Sequence, residues 1–61
     1  MMTHYQKGIL VMDYLQSLGV DMTTVGLAID DRRLEQSYKL IKENPKITKA
    51  EFLQAMGIEE E

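Results

Sequence analysis

The chain has no cysteine, no tryptophan, one histidine and one proline. Each shortage closes off a class of chemistry. Without cysteine there is neither a disulfide nor a thiolate zinc site. His4 is the one imidazole, and the residues three and four places after it are Lys7 and Gly8, so no local ligand pair forms around it. No cofactor is expected. Long apolar runs are missing as well. The longest, Ile9-Leu10-Val11-Met12, falls far short of the ~20 residues that span a bilayer. Lys7 is followed by that short run and then by Asp13, which is not the pattern of a signal peptide. A soluble, cytoplasmic protein with no membrane partner is the expectation, and the absence of cysteine suits it.

Catalytic groupings are equally scarce. No two carboxylates sit where burial would be expected, and no serine or threonine stands beside a candidate base. The four glycines are scattered instead of forming a phosphate-binding loop. A chain of this size leaves little room for the pockets of a few hundred Å³ that small ligands occupy. Neither an enzyme nor a small-molecule substrate is expected.

What the sequence does contain is 61 residues, enough for one domain spanning 1–61. So short a chain buries only ~60% of the surface its unfolded form exposes. With no disulfide or metal to help, either the helices pack efficiently or a second chain contributes. Seven basic residues stand against ten acidic ones, for a net charge of −3. That balance does not suit a general nucleic-acid binder, which carries a basic stripe.

The pattern is helical throughout. Thr3 is placed to cap a first helix running to about Leu18, where Gly19 can turn left-handed and Val20 can fold back on the last turn. Apolar residues occupy more than half of this helix's circumference, whereas a surface helix needs a stripe only ~100° wide. The helix is therefore either central in the bundle or shared with another chain. Gly8 inside it marks a close helix crossing, within the chain or between chains. Asp21 caps a short helix holding Met22, Val25, Ala28 and Ile29, with Gly26 weakening it. Asp30 or Asp31 caps a third helix to about Glu43, with Leu34, Tyr38 and Ile41 as its inner stripe. Asn44-Pro45 ends it. The fourth helix has the best-marked start, because Thr48 and Glu51 form a capping box and Ile47 and Phe52 a hydrophobic staple. It ends at Gly57-Ile58, and Glu59–Glu61 form an acidic tail expected to fray. The fold class is all-α: a small compact bundle of three to four short helices.

Tyr14-Leu-Gln-Ser-Leu-Gly-Val-Asp21 and Phe52-Leu-Gln-Ala-Met-Gly-Ile-Glu59 match in chemical type along their length. Two packed helices ending in the same cap account for the echo. Both segments also resemble the first helix and turn of a helix-turn-helix, which implies DNA binding through a following recognition helix. The resemblance departs at the residues that matter. Leu15 stands where close crossing wants a small residue, and Asp21, Met22, Thr23, Gly26 and Leu27 would be the exposed readers. None of them is an Arg, Lys, Asn or Gln. After Ile58 only three residues follow.

Arg32-Arg33 is the one adjacent arginine pair and the candidate for anion or nucleic-acid contact. Local pairs such as Arg32–Glu35 and Lys39–Glu43, with Asp30 and Asp31 nearby, would instead neutralise a solvated face. Val11, Met12, Leu18, Met22 and Leu27 exceed what a narrow seam needs and are the candidate interface, where methionine adapts to a partner surface. The expected function is a non-enzymatic protein-interaction module, an adaptor, inhibitor or regulatory subunit, with a homodimer as its simplest form. A DNA-binding regulator of helix-turn-helix type is the alternative.

Overall fold

A computed structural model describes residues 2–58. They form α1 (His4–Ser17), α2 (Met22–Ala28), α3 (Leu34–Glu43) and α4 (Lys49–Met56), with no strand among the described residues. The all-α bundle expected from the sequence is what the chain adopts. The Cα radius of gyration is 10.3 Å, near the ~10.5 Å of a globular chain this long and too small for an extended coiled coil.

Three helix starts follow from side chains that satisfy orphan backbone N–H groups. The Thr3 hydroxyl accepts from Gln6 N at 3.1 Å, and the Gln6 side chain accepts in return from Thr3 N at 2.9 Å. Asp21 accepts from Thr24 N at 2.7 Å. Thr48 and Glu51 complete a second reciprocal box, with Glu51 N donating to the Thr48 hydroxyl at 3.2 Å and Thr48 N to the Glu51 carboxylate at 3.1 Å. Both members of the expected staple, Ile47 and Phe52, are buried.

α3 begins later than expected. Its first helical residue is Leu34, and the preceding Arg33 makes no side-chain cap. Asp30 instead organises the turn before the helix. Its carboxylate accepts from Arg32 N at 3.0 Å, and its carbonyl accepts from both Arg33 N and Leu34 N at 2.8 Å. The aspartate does the expected kind of work four residues before the first helical one.

Two helix ends share one geometry. After α1, Gly19 takes φ 82°, Gly19 N donates to Gln16 O and Val20 N to Leu15 O. After α4, Gly57 takes φ 71°, Gly57 N donates to Gln54 O and Ile58 N to Leu53 O. These paired 5→2 and 6→1 bonds are the Schellman motif, and the left-handed φ is why glycine occupies both positions. The echo between the two segments is thus a shared way of stopping a packed helix. The expected acidic tail, Glu59–Glu61, lies outside the described residues.

The core is drawn from all four helices, with Val11, Leu15, Val25, Ala28 and Phe52 at its centre. α3 contributes Leu34, Ile41 and, fully buried between them, Ser37. The Ser37 hydroxyl donates to the Ala28 carbonyl at 2.8 Å, satisfying an acceptor that the end of α2 leaves open. Tyr38, expected on the inner stripe, is only half-buried and lies beneath the Lys7 and Lys42 ammonium groups at 5.2 and 5.8 Å. The Tyr14 hydroxyl donates to the Ile47 carbonyl at 2.9 Å, with the Pro45 carbonyl 3.2 Å away, and so ties α1 to the α3–α4 turn. No buried side-chain nitrogen or oxygen among the described residues lacks a partner.

Candidate functional site

α1 carries two apolar stripes. Val11 and Leu15 are fully buried, Leu18 is half-buried, and together they face the core. Tyr5, Ile9 and Met12, with Gly8 among them, follow the i, i+3, i+4, i+7 spacing of a second stripe. At about 100° per residue, Tyr5, Ile9 and Met12 fall within about 60° of arc on the flank beside the core stripe. This flank is open: Tyr5 is 76% exposed and Ile9 38%.

Beside it runs a groove of about 290 Å³. His4, Tyr5, Gly8, Ile9 and Met12 line it from α1, and Ile29, Asp31 and Leu34 from the α2–α3 turn and the start of α3. Gly8 is not demanded by packing within the chain. A Cβ built there would lie 3.9 Å from Leu34 Cδ2, an ordinary contact, so this crossing could accept alanine. A glycine inside a helix costs ~1 kcal/mol relative to alanine, and here its effect is to leave the groove deeper by one methyl group.

Polar and charged side chains border the groove. His4 Nε2 lies 3.4 Å from Asp31 Oδ1, and His4 Nδ1 4.0 Å from Glu35 Oε1. Lys7 Nζ sits 3.1 Å from both Glu35 oxygens. Arg32 Nε lies 3.7 Å from Asp30 Oδ1, and hydrogen bonding from the Arg32 N–H holds the Asp30 carboxyl below the usual aspartate range. The expected Arg32–Glu35 pair does not form, because Glu35 faces Lys7 across the α1–α3 seam. Nor do Lys39 and Glu43 approach as an ion pair. His4, which has no neighbour in sequence to pair with, finds Asp31 and Glu35 across the fold.

The five residues expected at an interface are not one surface. Val11 is enclosed in the core and cannot meet a partner, which corrects its assignment. Its neighbours on the opposite walls, from α2 and α3, were out of reach of a reading along one helix. Met12 lines the groove and Leu18 is half-buried against the core. Met22 and Leu27 are exposed, at 60% and 45%. Five residues apart on α2, they point about 140° from one another. Met22 lies on the groove side of α1's C-terminal half, since Gln16 Nε2 approaches its sulfur at 3.1 Å. Tyr5, Gly8 and Ile9 complete the open stripe. Their spacing was the available signal, hidden because nearly every other position on α1 is apolar too.

A second groove, of about 590 Å³, lies at the α3–α4 turn among Leu40, Asn44, Pro45, Lys46 and Glu51. The chain thus has more concave surface than its length suggests. Two of its polar groups are engaged within the fold: Glu51 with Thr48, and Asn44 Nδ2 donates to Leu40 O at 3.0 Å.

On α2, Asp21, Met22, Thr23, Gly26 and Leu27 are exposed as expected of the would-be recognition helix. Arg32 is exposed and Arg33 half-buried at the start of α3. Among the described residues no group of three His, Asp or Glu side chains is placed to hold a metal ion, and no helix is long and apolar enough to cross a membrane. No family model, no curated protein and no solved structure matches the chain.

Proposed function

We propose that this chain is a non-enzymatic, cytoplasmic protein-interaction module, acting as an adaptor, inhibitor or regulatory subunit. The observation that carries the reading is the second apolar stripe of α1. Tyr5, Ile9 and Met12 border a groove whose floor gains depth from Gly8, and the core of the chain uses none of Tyr5. Large apolar side chains that cluster on an open flank, instead of being scattered singly, are the mark of a surface that another polypeptide covers. The mode is helix-on-helix packing, with α1 as the anchor.

The test is a photoreactive phenylalanine at position 5, compared with the same group at exposed Gln54 on α4. Irradiation in the producing cells should give discrete polypeptide adducts from position 5 and none from position 54. Ile9→Lys in the same chain should abolish them while leaving the helical signal unchanged. Equal labelling from both positions, or none from position 5, would refute the reading.

The DNA-binding alternative draws no support from α2, whose exposed residues include no cation or amide. If it held, duplex binding would weaken steeply with salt and would vanish in Arg32→Ala/Arg33→Ala.

A further inference from the structure

With no cysteine in the chain, its sulfur chemistry is that of its methionines, and among the described ones Met22 stands apart. Met56 is buried, with the Ser37 hydroxyl 3.8 Å from its sulfur. Met12 is half-buried against the core, and Met2 is half-buried with the Tyr38 hydroxyl donating to its sulfur at 3.3 Å. Met22 is 60% exposed at the first position of α2. We propose that Met22 is a modification site: a hydroperoxide oxidises it to the sulfoxide ahead of these other methionines, and Gln16 holds the product. The proposal is independent of what meets the α1 flank.

A sulfur lone pair attacks one peroxide oxygen, the O–O bond breaks, and the second oxygen leaves as water or an alcohol. Sulfur is oxidised by two electrons, the peroxide is reduced by two, and the proton on the transferred oxygen passes to the departing one. Exposure sets the rate of this step, and the Gln16 side chain on α1 sets its consequence. Gln16 Nε2 lies 3.1 Å from the Met22 sulfur. A thioether is a weak acceptor, whereas a sulfoxide oxygen carries a partial negative charge and accepts strongly. Oxidation therefore puts a better acceptor beside a donor that is already in place. Both side chains are exposed, so the amide can draw back to admit the new oxygen. The bond then ties α1 to α2 across the turn at Gly19. At Met56 the same oxygen would enter the core, where an unpaired polar group costs stability, and the Ser37 hydroxyl beside it already donates to the Ala28 carbonyl. An exposed sulfoxide at position 22 also remains within reach of a sulfoxide reductase, the class of enzyme that reverses the step.

The experiment treats the whole folded chain with dilute hydrogen peroxide and follows each methionine by proteolysis and mass spectrometry. Met22 sulfoxide should form roughly tenfold faster than Met56 sulfoxide, and ahead of Met2 and Met12. The form oxidised at Met22 alone is then separated and melted beside the untreated chain, in the parent and in Gln16→Ala. The parent should melt no lower after oxidation, while Gln16→Ala should melt lower. The Gln16 side-chain amide resonances of the parent should move on oxidation, and those of peroxide-treated Met22→Leu should stay in place. Oxidation of Met12 or Met56 at the rate of Met22 overturns the proposal. Equal melting shifts in the parent and Gln16→Ala overturn it too, as does movement of the amide resonances in Met22→Leu.

Discussion

α1 and α4 begin and end in the same way and differ in what lies between. Each opens on a reciprocal capping box, Thr3 with Gln6 and Thr48 with Glu51, and each closes on a left-handed glycine followed by a buried β-branched residue, Val20 or Ile58. Between those limits α4 has eight residues, and its large apolar ones, Phe52, Leu53 and Met56, are all buried. α1 has fourteen, and only Val11 and Leu15 are buried. Boundary chemistry sets where a helix starts and stops. It does not set how much of the apolar surface between those points the fold consumes. α1 carries a surplus of apolar surface that the fold leaves open, and α4 shows a helix of this chain with no such surplus.

The sharpest way to test this contrast is truncation on each helix. Phe52→Ala removes a fully buried ring and should cost about 3–5 kcal/mol, as much as the ~3–9 kcal/mol that holds a chain this size folded. Tyr5→Ala on α1 should change the denaturation midpoint by no more than about 0.5 kcal/mol when measured at a concentration too low for association. Comparable losses from the two would mean that the α1 flank is core.

The shared ends should respond alike. Gly19→Ala and Gly57→Ala each force a Cβ into positive φ, 82° and 71°, and each should destabilise by about 1–2 kcal/mol. A much smaller loss at one of them in urea unfolding would break the equivalence of the two caps.

The starts should separate with pH. The Thr48 backbone N–H, and after it the Thr48 hydroxyl, hold the Glu51 carboxyl below the usual glutamate range. A depressed carboxylate contributes stability that is present above its unfolded pKa and lost as pH falls through its folded one. Gln6, in the same place on α1, does not titrate. Acidification through and below the ordinary glutamate range should therefore loosen the start of α4 and spare that of α1. Glu51→Gln should lose less stability between neutral and acidic pH than the parent chain does, by thermal melts at each pH. Equal losses would mean the box is not what acid breaks.

The smallest effect has the opposite sign. Gly8→Ala should raise the stability of the monomer by about 0.4–1 kcal/mol, since the backbone is helical and the added methyl meets only Leu34. Gly26→Ala on α2, where nothing lies within 4 Å, should do the same. Only the first should weaken association. Matched gains with no difference in association would leave the glycine on α1 without a role.

What could be read along the chain was whatever is settled within three to five residues. The caps at Thr3, Asp21 and Thr48 and the turns at Gly19 and Gly57 satisfy backbone groups beside them, so residue type and spacing identify them. The Asp30 turn was half legible: a carboxylate there does bond a following N–H, but the turn it builds delays the helix to Leu34. Features that depend on another element were not legible. Which of α1's two stripes faces inward is decided by where α2 and α3 lie, and Val11 and Met12 are both apolar residues that either stripe could bury. Ser37 reads as a polar surface residue until the Ala28 carbonyl is placed against it. His4 looks solitary until the fold brings Asp31, 27 positions away, within 3.4 Å.

The Tyr14 hydroxyl, bonded to the turn that joins α3 and α4, has a spectroscopic consequence. With no tryptophan and a single phenylalanine, three phenols dominate the near-ultraviolet signal of this chain. Each sits in a different setting: Tyr14 bonded inside the fold, Tyr38 beneath two ammonium groups, Tyr5 in water. Unfolding changes the first two, while covering the α1 flank changes the third alone. The protein therefore carries separate internal reporters for its own folding and for its occupancy, readable without any attached label.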